Sequence, residues 1–121
     1  MSDAIKIEPV GVAQRDLLGN LLQLYLYDFL EFVEVERNTD GLFVYPYLDH
    51  YWTEPDRFPF LISVEGEHIG FALIREELDP LTNEIAYDLA EFFVMRKFRR
   101  KNVGTQAAHS LMNKLPGRWL L

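Results

Sequence analysis

Phe93-Val94-Met95-Arg96-Lys97-Phe98-Arg99-Arg100-Lys101-Asn102-Val103-Gly104-Thr105 is the stretch that decides the fold. It starts as an apolar strand end, crosses five cations between Arg96 and Lys101, and opens a helical run from Val103 to Leu115. Val103, Ala107, Leu111 and Leu115 fall on one face of that helix, and Pro116-Gly117 stops it. Strand, basic turn and helix start in succession make an anion site. The first helical turn carries amides without intrahelical partners, and the helix dipole adds partial positive charge there. Gly104 lets the backbone approach a phosphate closely, and Arg99, Arg100 and Lys101 surround the site with full charges.

Outward from this stretch, the pattern predicts a mixed α/β domain over 1–121. Residues 84–95 read as a long strand, and 118–121 read as the start of another, joined to it by a parallel crossover through the helix. Phe60, Ile62 and Val64 alternate with Leu61, Ser63 and Glu65. Gly66 and the apolar run Ile69–Ile74 complete a hairpin. Asp79-Pro80-Leu81-Thr82-Asn83 and Asn38-Thr39-Asp40-Gly41 are turns, and Tyr47–Trp52 reads as a short helix. Leu17, Leu18, Leu21, Leu22, Tyr25, Phe29, Phe32 and Val33 make one apolar stripe on a helix over 14–34. Ile5, Ile7 and Val10 mark a first strand over 5–10.

Composition narrows the function classes. The chain has 121 residues, 49% of them hydrophobic and 14% aromatic, which excludes disorder and leaves room for one core. Without cysteine there is no disulfide scaffold, thiolate metal site or cysteine nucleophile. His50, His68 and His109 lie in unrelated elements, so no metal is expected, and no serine sits in a Gly-x-Ser-x-Gly turn. No apolar run is long enough to cross a bilayer, and the start lacks a secretory signal, so a cytoplasmic protein without membrane contact is the expectation. The net charge of -7 divides sharply. Residues 1–94 hold all 19 acids and 5 bases, while residues 95–121 hold 7 bases and no acid. An acidic body with one basic turn repels a long polyanion yet suits a small anionic ligand, which argues against a nucleic-acid partner.

Residues 99–104, Arg99-Arg100-Lys101-Asn102-Val103-Gly104, resemble the Gln/Arg-x-x-Gly-x-Gly/Ala acyl-CoA signature of the GCN5-related N-acetyltransferase (GNAT) family. Glu91 to Met95 is similar to that family's fourth strand, and the element order agrees from residue 5 onward. The resemblance implies a GNAT-like fold that transfers acetyl from acetyl-CoA to a primary amine. The amides from Asn102 to Thr105 would hold the pyrophosphate of coenzyme A, and the backbone of Phe93, Val94 and Met95 would hold its pantetheine arm. One position departs from the pattern: Asn102 stands where the first glycine is expected. Asparagine is the non-glycine residue best suited to left-handed angles, so the turn is expected to survive with weakened coenzyme binding.

The acceptor side poses a proton problem. Holding a lysine-like amine neutral at pH 7 costs roughly 4.6 kcal/mol, from a pKa near ~10.4. A carboxylate with a raised pKa can carry that proton away, and Glu91, beside Phe92 and Phe93, is the candidate. Asp88, three residues earlier, is expected on the opposite side of a regular strand. Asp28, Glu31, Tyr45 and Tyr47 are the expected acceptor-binding residues, since acids and aromatics suit a cationic small molecule or peptide. Relative to the family, the chain stops before a last helix and two strands. A homodimer covering the open edge is therefore expected. The alternative is a non-catalytic coenzyme A-binding or dimerising remnant.

Overall fold

Strand alternation on either side of Gly66 closes into a hairpin. β2 (Arg57–Val64) and β3 (Glu67–Leu78) pair antiparallel through Glu65 and Gly66, both with positive φ (50° and 82°). Two left-handed residues give the turn whose twist matches paired strands, and glycine takes the second place without a Cβ penalty. The computed structural model describes residues 5–120. β1 (Ile5–Pro9) lies antiparallel to β2, β4 (Ile85–Val94) antiparallel to β3, and β5 (Trp119–Leu120) parallel to β4. The sheet order is β1-β2-β3-β4-β5, the mixed α/β architecture expected from the sequence.

Two helices cover the two faces. α1 (Arg15–Phe29) buries Leu18, Leu21, Leu22 and Leu26 against Leu61, Phe71, Leu73 and Phe93. α3 (Val103–Lys114) buries Val103, Ala107 and Leu111 against Phe60, Ile62, Ile74 and Val94 on the other face. Each of these side chains larger than alanine contributes roughly 1.5–3 kcal/mol of burial free energy, so the two layers fix where the ends of β4 and α3 meet. Gly70 of β3 lets β4 lie close: a Cβ there would stand 2.1 Å from the Phe93 carbonyl oxygen.

Two boundaries differ from the sequence pattern. α1 ends at Phe29, not at residue 34, because the stripe runs past the sheet. Phe32 and Val33 remain 76% and 45% exposed, and the chain leaves the helix through a Phe32 N–H to Phe29 C=O turn. The following segment returns to α1 where Gln23 both donates to and accepts from the Phe43 backbone at 2.8 Å. The second helix begins later than Tyr47: α2 is a single turn, His50–Thr53. β3 also outruns the apolar run, since Arg75 to Leu78 keep pairing with β4. No described helix is long and apolar enough to cross a membrane.

Candidate functional site

A bulge in β4 organises the first part of the site. Leu73 is paired with Glu91 but Ile74 with Leu89, so Ala90 has no residue opposite. One extra residue reverses the alternation of the strand. Asp88 and Glu91 therefore share the α1 face, and both line one cavity of about 350 Å³. This corrects the expectation that Asp88 faces away, which held only for a regular strand.

Tyr45, Tyr47, Tyr51, Arg57 and Arg75 complete the walls. Arg57 and Arg75 are directly opposed across β2 and β3. Arg75 is held by Glu77 at 2.7 Å and Asp88 at 3.2 Å. Arg57 lies over the Tyr51 ring, 5.4 Å from its centroid, with Glu54 Oε2 3.5 Å from Nε. Burial pushes the Glu91 carboxyl above the ordinary glutamate range, against the pull of Tyr25 and Arg75, while Asp88 adds to the rise. Burial also pushes up the hydroxyls of Tyr25 and Tyr45, so both are neutral donors at any working pH. Tyr51 is almost fully buried, and no group meets hydrogen-bond geometry at its hydroxyl, although Tyr45 and Arg57 lie beside it.

The second part is the edge of β4. β5 pairs only with Tyr87 and Asp88, so from Leu89 to Val94 the outer edge has no neighbouring strand among the described residues. Met95 N–H bonds Ile69 C=O on the β3 side, and the Val94 carbonyl accepts from Arg99 Nε at 2.6 Å on the open side. Strand alternation puts the Val94 N–H on that open side too. A groove of about 220 Å³ runs beside it, lined by Tyr25, Asp28, Phe29, Phe92, Phe93 and Arg99 among others.

The third part is the basic turn. Arg96–Phe98 form a single tight 3-10 turn. Asn102 takes left-handed angles (φ 61°, ψ 18°), as expected of the residue replacing glycine, and α3 starts behind it. Among the described residues the N–H groups of Asn102, Val103, Gly104 and Thr105 find no acceptor, and Gln106 N–H is the first one taken, by Asn102 C=O at 3.2 Å. A Cβ on Gly104 would meet nothing within 4 Å, so the approach to these amides is open. Val103 itself is buried beneath them.

The cations around this turn are not equivalent. Arg96 and Arg99 each donate to one oxygen of Asp28 at 2.6 Å. Hydrogen bonds from Arg99, with Arg96 beside it, hold the Asp28 carboxyl below the usual carboxylate range. Lys97 and Lys101 flank the Phe98 ring, and Arg100 has no ion pair among the described residues. Asp28 is thus occupied by the basic turn and does not face Glu91. Glu31 is exposed beside Arg96, on the same side. Of the four acceptor residues expected from the sequence, Tyr45 and Tyr47 join Glu91, while Asp28 and Glu31 do not. Arg57 and Arg75 were missed. They are two of only five bases in the first 94 residues, and that rarity was the available signal.

A mixed sheet whose fourth strand bulges, opens its edge and runs into a helix start with free amides defines the acyltransferase class of α/β folds. Residues 21–120 match the Acetyltransferase (GNAT) family, and the chain belongs to that family. Its members use acetyl-CoA to acetylate amines. No curated protein matches. The fold is similar to that of the ribosomal-protein-alanine N-acetyltransferase of Brucella melitensis biovar Abortus 2308. The two are 19% identical with a TM-score of 0.67, covering 96% of this chain and 75% of that one. It is also similar to a predicted acetyltransferase with acetyl-CoA from Clostridium acetobutylicum, at 15% identity and TM-score 0.71, covering 98% and 80%. A GNAT family acetyltransferase of Staphylococcus aureus subsp. aureus USA300_TCH1516 is 21% identical with TM-score 0.64, covering 94% and 78%.

Proposed function

We propose that the chain transfers an acetyl group from acetyl-CoA to the primary amine of a small molecule or peptide. The observation that carries this reading is the set of unbonded amides from Asn102 to Thr105, open to the surface beside the unpaired edge of β4. These amides, with Arg100 and Lys101, would hold the pyrophosphate. The β4 edge around Phe93, Val94 and Met95 would hold the pantetheine arm by strand-like hydrogen bonds. No metal is needed for this chemistry, and no cluster of ligating side chains occurs among the described residues.

Acetyl-CoA supplies an activated thioester: the amine nitrogen bonds its carbonyl carbon, the carbon–sulfur bond breaks, and the sulfur leaves as the coenzyme thiol with one proton. Glu91 takes the proton that the ammonium must lose before attack. Its raised pKa makes it a stronger base than an exposed glutamate. The Val94 N–H on the open edge would stabilise the thioester oxygen as it gains charge.

Calorimetry with acetyl-CoA, paired with a thiol-release assay over a panel of amines, tests this reading. Binding with amine-dependent thiol release supports it. Binding without release under any amine would make the chain a coenzyme A-binding module instead, and absence of binding would remove the reading altogether.

A further inference from the structure

The cavity around Glu91 holds three charged groups that the transfer chemistry does not use, Arg57, Arg75 and Asp88, and Arg57 has the weakest internal partner. Arg57 has a side chain only 17% exposed. Its one ion pair among the described residues is long: Glu54 Oε2 stands 3.5 Å from Nε, is 42% exposed and is shared with His50 Nδ1 at 3.1 Å, while the Tyr51 hydroxyl lies beside the guanidinium. A partly buried guanidinium with one long ion pair keeps donors for a further anion. Arg75, directly across the strand pair, adds a like charge, which is destabilising and favours a counter-anion between them. Arg75 is satisfied by Glu77 and Asp88, so it neutralises Asp88 in turn. That leaves, on the walls of one cavity, the Arg57 guanidinium with its one long ion pair and the Glu91 carboxyl, which has no ion pair among the described residues.

We infer that the acceptor is a zwitterion of amino-acid size, whose carboxylate docks on Arg57 while its amino group is presented to Glu91. This rests on the transferase reading above and narrows it, replacing the purely cationic amine expected from the sequence. The cavity volume of about 350 Å³ lies at the small end of ligand sites, which suits an amino acid better than an extended polyamine. A planar guanidinium with free donors matches a carboxylate in a bidentate pair, as an ammonium would not. The phenol of Tyr45 and the exposed Tyr47 ring, packed edge to face at 5.7 Å, wall the space between the two charges. Arg57 is here a specificity residue that touches the acceptor, not the reacting atoms.

The test compares matched acceptors: a free amino acid such as serine, its primary amide, and its decarboxylated amine, ethanolamine, with phenylalanine, its amide and phenethylamine as a second series. The amide controls for amine basicity, because it lacks the negative charge but has the more easily deprotonated amine. Wild type is expected to favour the acid over the amide by at least roughly tenfold in kcat/KM, about 1.4 kcal/mol. Arg57→Gln should erase most of that ratio, lowering the acid far more than the amide, and Arg57→Lys should restore part of it. Equal or better turnover of the amides and decarboxylated amines by wild type overturns the inference and leaves the transferase reading standing. Calorimetry with the amino acids alone separates the remaining cases. Binding of an acid but not its amide, without acetyl transfer, upholds the zwitterion pocket and sinks the transferase. No binding and no turnover of any acid overturns the inference, whatever Arg57→Gln does to folding.

Discussion

Two regions of the molecule concentrate charge, and they do so in opposite ways. The turn from Arg96 to Lys101 is the most conspicuous feature of the sequence, yet Asp28 draws two of its arginines inward, and Arg99 also caps the Val94 carbonyl. The cavity around Glu91 has no sequence motif. Its charges come from Arg57 on β2, Arg75 on β3, and Asp88 and Glu91 on β4, brought to one face by pairing register and one bulge. Charge that is dense along the chain is partly neutralised within the fold. Charge that is sparse along the chain is collected by topology and left with less internal compensation.

The strongest way to break this contrast is at Glu91. Glu91→Gln should lower kcat by roughly 10²–10⁴-fold, the range for loss of a general base, with little change in coenzyme A affinity. The pH profile sharpens the claim. Because burial raises the Glu91 pKa, the acid limb of kcat/KM should lie above the ordinary glutamate value of 4.5, with activity lost as pH falls through the raised value. The Gln variant should lack that limb. Unchanged kcat would remove Glu91 from the chemistry. The same shift has a stability sign: a raised carboxyl pKa favours the folded state at lower pH, so Glu91→Gln should gain stability relative to wild type as pH rises past that value.

Gly70 tests whether the closeness of β3 and β4 holds both regions in place. Gly70→Ala puts a Cβ against the Phe93 carbonyl, a backbone atom that cannot rotate away, and should destabilise by about 3 kcal/mol. A lower denaturant midpoint with an unchanged slope checks this, and a neutral effect would mean that the strands are less closely apposed than described.

Much of this architecture was legible in the chain. The hairpin about Gly66, the stripe from Leu17 to Phe29, the turn at Asp79–Asn83 and the helix from Val103 all follow from periodicity and turn residues. The left-handed Asn102 and the open amides behind it also followed, because a helix start is a local structure. What escaped was non-local. The bulge at Ala90 arises from pairing with β3, so the sequence of β4 alone gave Asp88 the wrong face. The internal ion pairs of Asp28 span 68 and 71 residues, so its partnership with the basic turn could not be read from the sequence around it. Helix α1 fell short of residue 34 because its stripe outruns the sheet, which only the packing reveals.

Gly104 separates stability from binding at the basic turn. It lies in the first turn of α3 with open space where a Cβ would go. Gly104→Ala should therefore raise stability by about 0.5–1 kcal/mol, the helix-propensity gain. The added methyl group would crowd a pyrophosphate held on the amides, so coenzyme A affinity should fall. Gly104→Glu should remove that affinity by adding bulk and negative charge. A Gly104→Ala protein that is both more stable and equally tight would place the phosphates elsewhere.

Asp28 gives the smallest effect and the most specific one. If its role is to order the basic turn, Asp28→Asn should cost about 1 kcal/mol or less at neutral pH, because Arg96 is 70% exposed and solvent screens its share. The sign with pH follows from the depressed carboxyl pKa: the stabilisation is complete above the ordinary aspartate value of 3.8 and is lost as pH falls through the lower folded value. Melting curves of wild type and Asp28→Asn should therefore differ at pH 7 and converge as pH falls below 3.8. At the same time the variant frees Arg96 and Arg99 from their counter-charge, so the region gains positive charge as it loses order. If charge dominates, the salt dependence of coenzyme A binding should steepen in the variant; if order dominates, affinity should fall at every salt concentration. Either outcome keeps Asp28 as an internal partner of the turn, whereas a loss confined to the amine KM would return it to the acceptor site.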